Sequence, residues 1–263
     1  MSSKLDVDRL EFVILAGWAG LKRLPPVVQY SHYGTPVQDM DNELEAADAR
    51  CRQRGLVNRT NQVSDEVWDL LAIYPSTAIE YDLRFSAQKG TELRAAVSQS
   101  GQVAVRTVMN GDRYVLERVR AEDAVPALVS VLPEHPPLKM KPVNVDLTEM
   151  RSVMADVEKK GLTDPRAIEQ GLRSRGIDVT GFRKATELLD GTKLGAGQIG
   201  VTVWNAQRKE FRGDHTVQVV DVEGGRVSIY NSGNQRMVAG ADIGTFRRVL
   251  GDLTTAAQRR SVW

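Results

Sequence analysis

Period-two alternation dominates the middle of the chain. Ile79, Tyr81, Leu83 and Phe85 alternate with Glu80, Asp82 and Arg84, which predicts a strand with one apolar and one wet face. Strand-like runs at Thr91–Ser98, Gln102–Val108 and Arg113–Val119 follow, and turns such as Asn110-Gly111-Asp112 make them hairpins. Ahead of this meander the period is helical. Leu10, Val13, Ile14, Trp18 and Leu21 share one helical face, and Pro25-Pro26 stops that helix before a short strand at Val27–Tyr30. Further helices are predicted over Gln38–Arg54, ended by Gly55, and over Glu66–Ile73, capped by Ser64 and ended by Pro75. A helix at Ala121–Leu132 closes this half before the proline-rich stretch Pro133–Pro142, which reads as a linker.

The second half repeats the plan. Helices at Met150–Lys160, ended by Gly161, and at Arg166–Arg175, started by Asp164-Pro165 and ended by Gly176, precede a helix-like stretch at Phe182–Leu189. Strands then return at Ile199–Trp204, His215–Val222 and Gly225–Tyr230, with a short one around Arg236 and a last helix at Ala241–Leu253. The halves align at a spacing of about 120 residues, too long for a solenoid repeat. The expected fold is therefore α+β and quasi-twofold, with residues 1–142 and 143–263 as pseudo-symmetric halves of one compact domain whose strands join in one antiparallel sheet.

The two predicted meanders differ in their outward positions. Glu80, Asp82, Arg84, Arg94 and Arg106 are charged, as on a face left in water. With Ile199, Val201 and Val203 inward, the second meander turns out Gln198, Thr202 and Trp204. Gln218 joins them if Val217 and Val219 are inward, as do Ser228 and Tyr230 if Val227 and Ile229 are buried. Uncharged polar groups interleaved with aromatics are what a protein interface carries, and the competing reading is a second core layer under the C-terminal helices.

Composition narrows the function. Lys and Arg total 35 against 34 for Asp and Glu, so the net charge of +1 offers no field to nucleic acid or to an anionic membrane. The single cysteine, Cys51, makes an intrachain disulfide impossible and fits a reducing cytosol. Arg50, Arg52 and Arg54 flank it, yet a helical setting without a nearby histidine points to a structural thiol. The apolar run Phe12–Leu21 follows Asp6, Asp8 and Glu11 rather than basic residues, unlike a signal peptide, and no segment is long and apolar enough to span a bilayer.

Reactive constellations are missing. The Gly195–Gly200 run, GAGQIG, fits the spacing of a dinucleotide-binding loop, but a helix precedes it and a strand follows, the reverse of what such a loop needs. It reads instead as a tight helix-to-strand junction in which glycine permits positive φ and close backbone approach. Hydrolase elbows, zinc helices and phosphate loops are absent, and His32, His135 and His215 fall in a turn, the linker and a strand start. No catalytic residue, cofactor site or metal site is expected, and the chain does not read as an enzyme.

Four segments carry a family resemblance: LDVDRLEFVILAGWAGLKRLPPVV, RGLVNRTNQVSDEVWDLLAIYPSTAIEYDLRF, RYVLERVRAEDAVPALVSVLP and GAGQIGV, in that order. Together they resemble the EspG family, cytosolic specificity chaperones of type VII (ESX) secretion systems. That family usually has Gly-Gln-Phe-Gly where this chain has Gly197-Gln198-Ile199-Gly200, a change that keeps an inward apolar residue and removes an aromatic ring. The resemblance implies a central antiparallel sheet flanked by two helical bundles. It also implies binding to the hydrophobic helical tip of the PPE subunit in PE-PPE heterodimers, which keeps them soluble and directs them to their own secretion system. Release of the client, with a secretion-system ATPase as the candidate agent, is implied as a later step. On this reading Gly197, Gln198, Thr202, Trp204, Gln218 and Tyr230, with part of the C-terminal helical bundle, are the expected partner-binding surface. Two other classes stay open: an enzyme with a nucleotide or small-molecule site between the halves, and a self-assembling protein, so that monomer and homodimer are both allowed.

Overall fold

The structure, a computed structural model, describes residues 4–29, 37–88, 90, 92–159 and 165–261. In the first half β1 (Lys4–Asp8) leads into α1 (Arg9–Trp18), α2 (Val37–Gln53), α3 (Asp65–Leu71) and α4 (Ile73–Ser76). The meander β2 (Ile79–Ala87), β3 (Glu92–Ser100), β4 (Val103–Asn110) and β5 (Arg113–Arg120) follows, then α5 (Ala124–Val129). The second half opens with β6 (Val143–Asp146), α6 (Leu147–Lys159), α7 (Pro165–Ser174) and α8 (Val179–Asp190). Strands β7 (Lys193–Trp204), β8 (Glu210–Arg212), β9 (Val217–Val222), β10 (Gly225–Ser232) and β11 (Gln235–Gly240) come next, and α9 (Ile243–Ser261) is last.

All named strands join one antiparallel sheet in the order β1-β5-β4-β3-β2-β7-β9-β10-β11-β6, with β8 pairing the end of β7. Outward from the central β2–β7 pair, each half presents four meander strands and then, at the edge, the strand that opens it. The helices that follow the two edge strands are built alike at their starts. Asp8 and Glu11 close a capping box on α1, each accepting the other's backbone N–H at 2.9 Å, and Asp146 accepts from Thr148 and Glu149 at the start of α6.

One face of the sheet is sealed by α5 and α9. Leu83, Phe85, Val97, Ile199, Val201 and Val219 pack there with Leu128, Phe246 and Leu250, all buried. Each such side chain stabilises the fold by about 1.5–3 kcal/mol. The opposite face is covered in two patches. Over the first half, Phe12, Leu15, Leu70 and Leu71 meet Ala96, Val105, Tyr114 and Leu116, and Tyr114 stacks on Phe12 with ring centroids 4.4 Å apart. Over the second half, Val143, Val145, Val220, Val227, Ile229 and Val238 form a separate cluster with Met150, and α6 to α8 add a small core of Val153, Leu172 and Val179.

Several expectations change. The buried stripe of α1 is Glu11, Phe12, Leu15 and Ala16, while Trp18 is 41% exposed; its apolar residues are dense enough to fit more than one helical phase. Val27 and Val28 lie in a 3-10 turn, Pro26–Val28, rather than a strand, and Pro75 sits within α4. Strands β1, β6 and β8 were not predicted, being three to five residues long and edged by polar groups. The proline-rich stretch is strapped to β10: Arg226 donates its N–H to the Pro136 carbonyl at 2.6 Å, and Leu138 donates to the Arg226 carbonyl at 2.9 Å. The GAGQIG glycines lie inside β7, which starts at Lys193, and none of the three takes a positive φ. Tyr30, His32, Thr91, Gly161 and Asp164 lie outside the described residues.

Candidate partner-binding face

Directly paired residues on neighbouring strands point to the same side of a sheet, so register alone draws rows across it. One row runs Val7, Tyr114, Met109, Arg94, Arg84, Gln198, Gln218, Ile229, Val238, Val143. Its two ends are apolar and belong to the two covered patches, whereas its middle is polar. Arg84, Gln198 and Gln218 are exposed and Arg94 is half-buried. The face thus has an open trough along β2, β7 and β9 between the two helical layers. Arg94 pairs with Glu92 at 2.8 Å, and that hydrogen bond holds the Glu92 carboxyl below its ordinary range.

Beside the trough the same face turns inward. Asp82 is buried and receives a two-pronged contact from Arg212, whose Nη2 donates to Oδ1 at 3.0 Å and whose Nη1 donates to Oδ2. Nη1 also donates to the Thr202 hydroxyl at 2.9 Å. Gly200 makes this possible, since a Cβ there would collide with the Arg212 guanidinium. Glu80, 3% exposed, accepts from Ser98 Oγ at 3.3 Å, and burial pushes its carboxyl up to about 7, against the opposing pull of Arg23. Arg23 lies 4.2 Å from the centroid of the Trp204 ring and pairs with Glu210 at 3.2 Å, so Trp204 is roofed over.

The six expected contact residues therefore separate. Gln198 and Gln218 are paired neighbours in the open trough. Thr202 and Trp204 share their face but are buried, one as an acceptor for Arg212 and the other beneath Arg23. Gly197 pairs with Phe85 and Val219 on the sealed face, where a Cβ would collide with the Arg84 carbonyl and approach Phe85 Cα to 2.7 Å. Tyr230 is also on the sealed face, 4% exposed, its hydroxyl accepting from Arg248 Nη2 at 2.8 Å. The alternation argument failed at Tyr230 because β10 is covered on both sides: every residue from Gly225 to Tyr230 is buried.

The charged set divides in the same way. Glu80 and Asp82 are not wet, and Arg106 lies on the α5 side, bonded to the Ala127 carbonyl, Ser130 and Glu117. Sequence reasoning overlooked Arg212 because β8 went unassigned. The glycine in mid-strand at position 200, across from an aspartate, is the signal that reveals it. Cys51 is buried, its thiol pushed up to about 12 by burial, with Glu11 and Asp48 adding to the rise; the flanking arginines are engaged by Asp8, Glu11 and Asp48. His135 bonds the Val222 carbonyl at 3.0 Å while His215 precedes the other end of β9, so the structure does not bring them together. Among the described residues no cluster of three His, Cys, Asp or Glu is arranged to hold a metal ion, and no helix is long and apolar enough to cross a membrane.

Comparison with known proteins agrees with this architecture. The structure of the Mycobacterium tuberculosis type VII secretion system chaperone EspG5 in complex with PE25-PPE41 dimer is similar over 95% of each chain, with a TM-score of 0.69 and 16% identity, a likeness of fold. No curated protein matches. The sequence model of the EspG family matches residues 8–252, from the capping box of α1 into α9, and the chain belongs to that family.

Proposed function

We propose that this chain is a cytosolic specificity chaperone of a type VII secretion system, one that covers the helical tip of the PPE subunit in a PE-PPE heterodimer and catalyses no reaction. Family membership supports the reading, and the observation that carries it here is the row with apolar, covered ends and an exposed polar middle. A helical tip presents unpaired N–H or C=O groups along with its apolar side chains. Glutamine both donates and accepts, so Gln198 and Gln218 can satisfy either kind, and the Arg84 cation suits the negative end of a helix dipole. Gln198, Gln218 and Arg84 are the proposed contacts. Thr202 and Trp204, buried beside the trough on the same face, and Gly197, on the sealed face, hold β7 and β2 in the register that aligns the glutamines.

We infer as well that residues 1–142 and 143–263 are pseudo-symmetric halves of one domain, a reading supported by their matching strand order. The trough then lies across the junction of the halves, and neither half carries it alone. The test is co-expression with a PE-PPE pair encoded by the same genome, followed by affinity capture and size-exclusion chromatography. The expected result is a soluble ternary complex containing a PPE protein that is insoluble without the chaperone. Folded chaperone that captures none of the genome's pairs would overturn the assignment.

A further inference from the structure

A second surface lies away from the sheet. Among the described residues Trp18 and Trp68 are the two most exposed aromatic side chains, at 41% and 45%, and both line one cleft of about 320 Å³ with Ala19, Gln62, Val63 and Asp65. Three separate pieces build it: the C-terminal end of α1, the turn after Asn61, and the first turns of α3. Trp18 is fixed in place, its indole N–H donating to Asp48 Oδ1 at 2.9 Å. Each residue is a little over half covered, so its inner part rests on the protein while its outer part stays open to a partner.

The surroundings are acidic. Asp65, Glu66 and Asp69 on α3 are exposed and form no ion pair among the described residues, and Asp41 and Glu45 are exposed on the stripe of α2 that also carries Asp48. The nearest cation, Arg52, held by Asp48, the Asn58 carbonyl and Asn61, already stands over the Trp18 ring, 5.9 Å from its centroid, which leaves Trp68 as the indole without a cation of its own among the described residues. Indole faces attract cations, and a guanidinium both stacks flat on an aromatic ring and pairs with a carboxylate. At the lower limit of ligand-pocket volumes, and with its tryptophans so open, the cleft would leave a small molecule largely in water. It is suited to one side chain of a larger partner.

We propose that the Trp18–Trp68 cleft docks an arginine-bearing segment of a second protein, at a site separate from the sheet trough. The guanidinium stacks on Trp68 and meets Asp65, Trp18 forms the far wall, and Glu66 and Asp69 attract flanking basic residues. This proposal rests on the cleft alone and stands whether or not the trough binds PE-PPE pairs.

The test is an NMR titration of the full chain, following tryptophan indole N–H signals, with a capped glycine-serine peptide bearing two arginines and the same peptide with glutamines as control. The signals are assigned by single Trp→Phe substitutions. The expected result is saturable movement of the Trp18 and Trp68 signals, with half-saturation at or below about 1 mM, and no movement of the Trp204 signal. Trp68→Ala should weaken binding roughly tenfold and Asp65→Asn roughly threefold, the latter effect shrinking as salt is raised. Both positions are exposed, so folding is expected to survive, and the indole spectrum checks it. Absence of saturable shifts, equal shifts with the glutamine peptide, or binding that Trp68→Ala leaves unchanged would each overturn the proposal. Concentration-dependent self-association abolished by Trp68→Ala would overturn the choice of partner in favour of a second copy of this chain.

Discussion

Replacing Glu80 by glutamine should stabilise the protein in alkaline solution and leave it nearly unchanged in acid. Glu80 is buried in the central strand pair, where burial pushes its carboxyl from an ordinary 4.5 up to about 7; Arg23 and Arg212 oppose that rise and Asp82 adds to it. Between those two values the folded chain holds a proton that the unfolded chain has lost. Stability from this group is therefore complete below pH 4.5 and is lost as pH climbs through about 7. A displacement of that size corresponds to roughly 3 kcal/mol, an upper bound because the strands and Arg23 can relax around the charge. Glutamine keeps the shape and the acceptor for Ser98 while removing the ionisation. Urea unfolding at pH 4, 7 and 8.5 should show the variant's advantage growing from near zero to about 1–3 kcal/mol. A variant less stable than the parent at pH 8.5 by more than about 1 kcal/mol would refute the reasoning, because it would mean that Glu80 acts as a paired anion for Arg23 and Arg212.

Other consequences follow from the same packing. Gly197→Ala drives a methyl group into the β2 backbone and should cost about 1–3 kcal/mol, lowering the melting temperature by about 2–4 °C per kcal/mol in calorimetry. Asp82→Ala strands the Arg212 guanidinium; since that side chain is 45% exposed and can turn to water, the loss should be about 1–2 kcal/mol by urea titration, short of the cost at a fully buried pair. Cys51 should resist a disulfide reagent at pH 8 until the chain unfolds, so rapid labelling of native protein would contradict its burial.

Legibility in the sequence follows solvent contrast. Strand β2 is readable because one side, Ile79, Tyr81, Leu83 and Phe85, is uniformly apolar, β3 to β5 because tight turns bound their β-branched runs, and the helix punctuation at Ser64, Gly55 and Gly176 is local chemistry, with both glycines at positive φ. The α1 stripe and β10 are not readable, since apolar residues there face two directions and period alone does not choose between them. Register is also invisible in one dimension. Gln198 and Gln218 are far apart until β7 pairs with β9, and Gly197 and Gln198, adjacent in sequence, end on opposite faces. The GAGQIG run illustrates the same limit: close approach was the right reason for its glycines and positive φ the wrong one. The glycines at 197 and 200 make room for the Arg84 carbonyl and for Arg212, neighbours supplied by other strands.

The trough is the central claim, and affinity for a purified PE-PPE heterodimer tests it most directly. Calorimetric titration should compare the parent chain, the triple variant Arg84→Ala, Gln198→Ala, Gln218→Ala, and Tyr230→Phe as a control on the sealed face. At about 1 kcal/mol for each lost hydrogen bond and more where a charge is involved, the triple variant should bind roughly a hundredfold more weakly with its melting temperature unchanged. Tyr230→Phe should bind as the parent does. A triple variant of undiminished affinity, or a loss confined to Tyr230→Phe, would contradict the account and move the client to another surface.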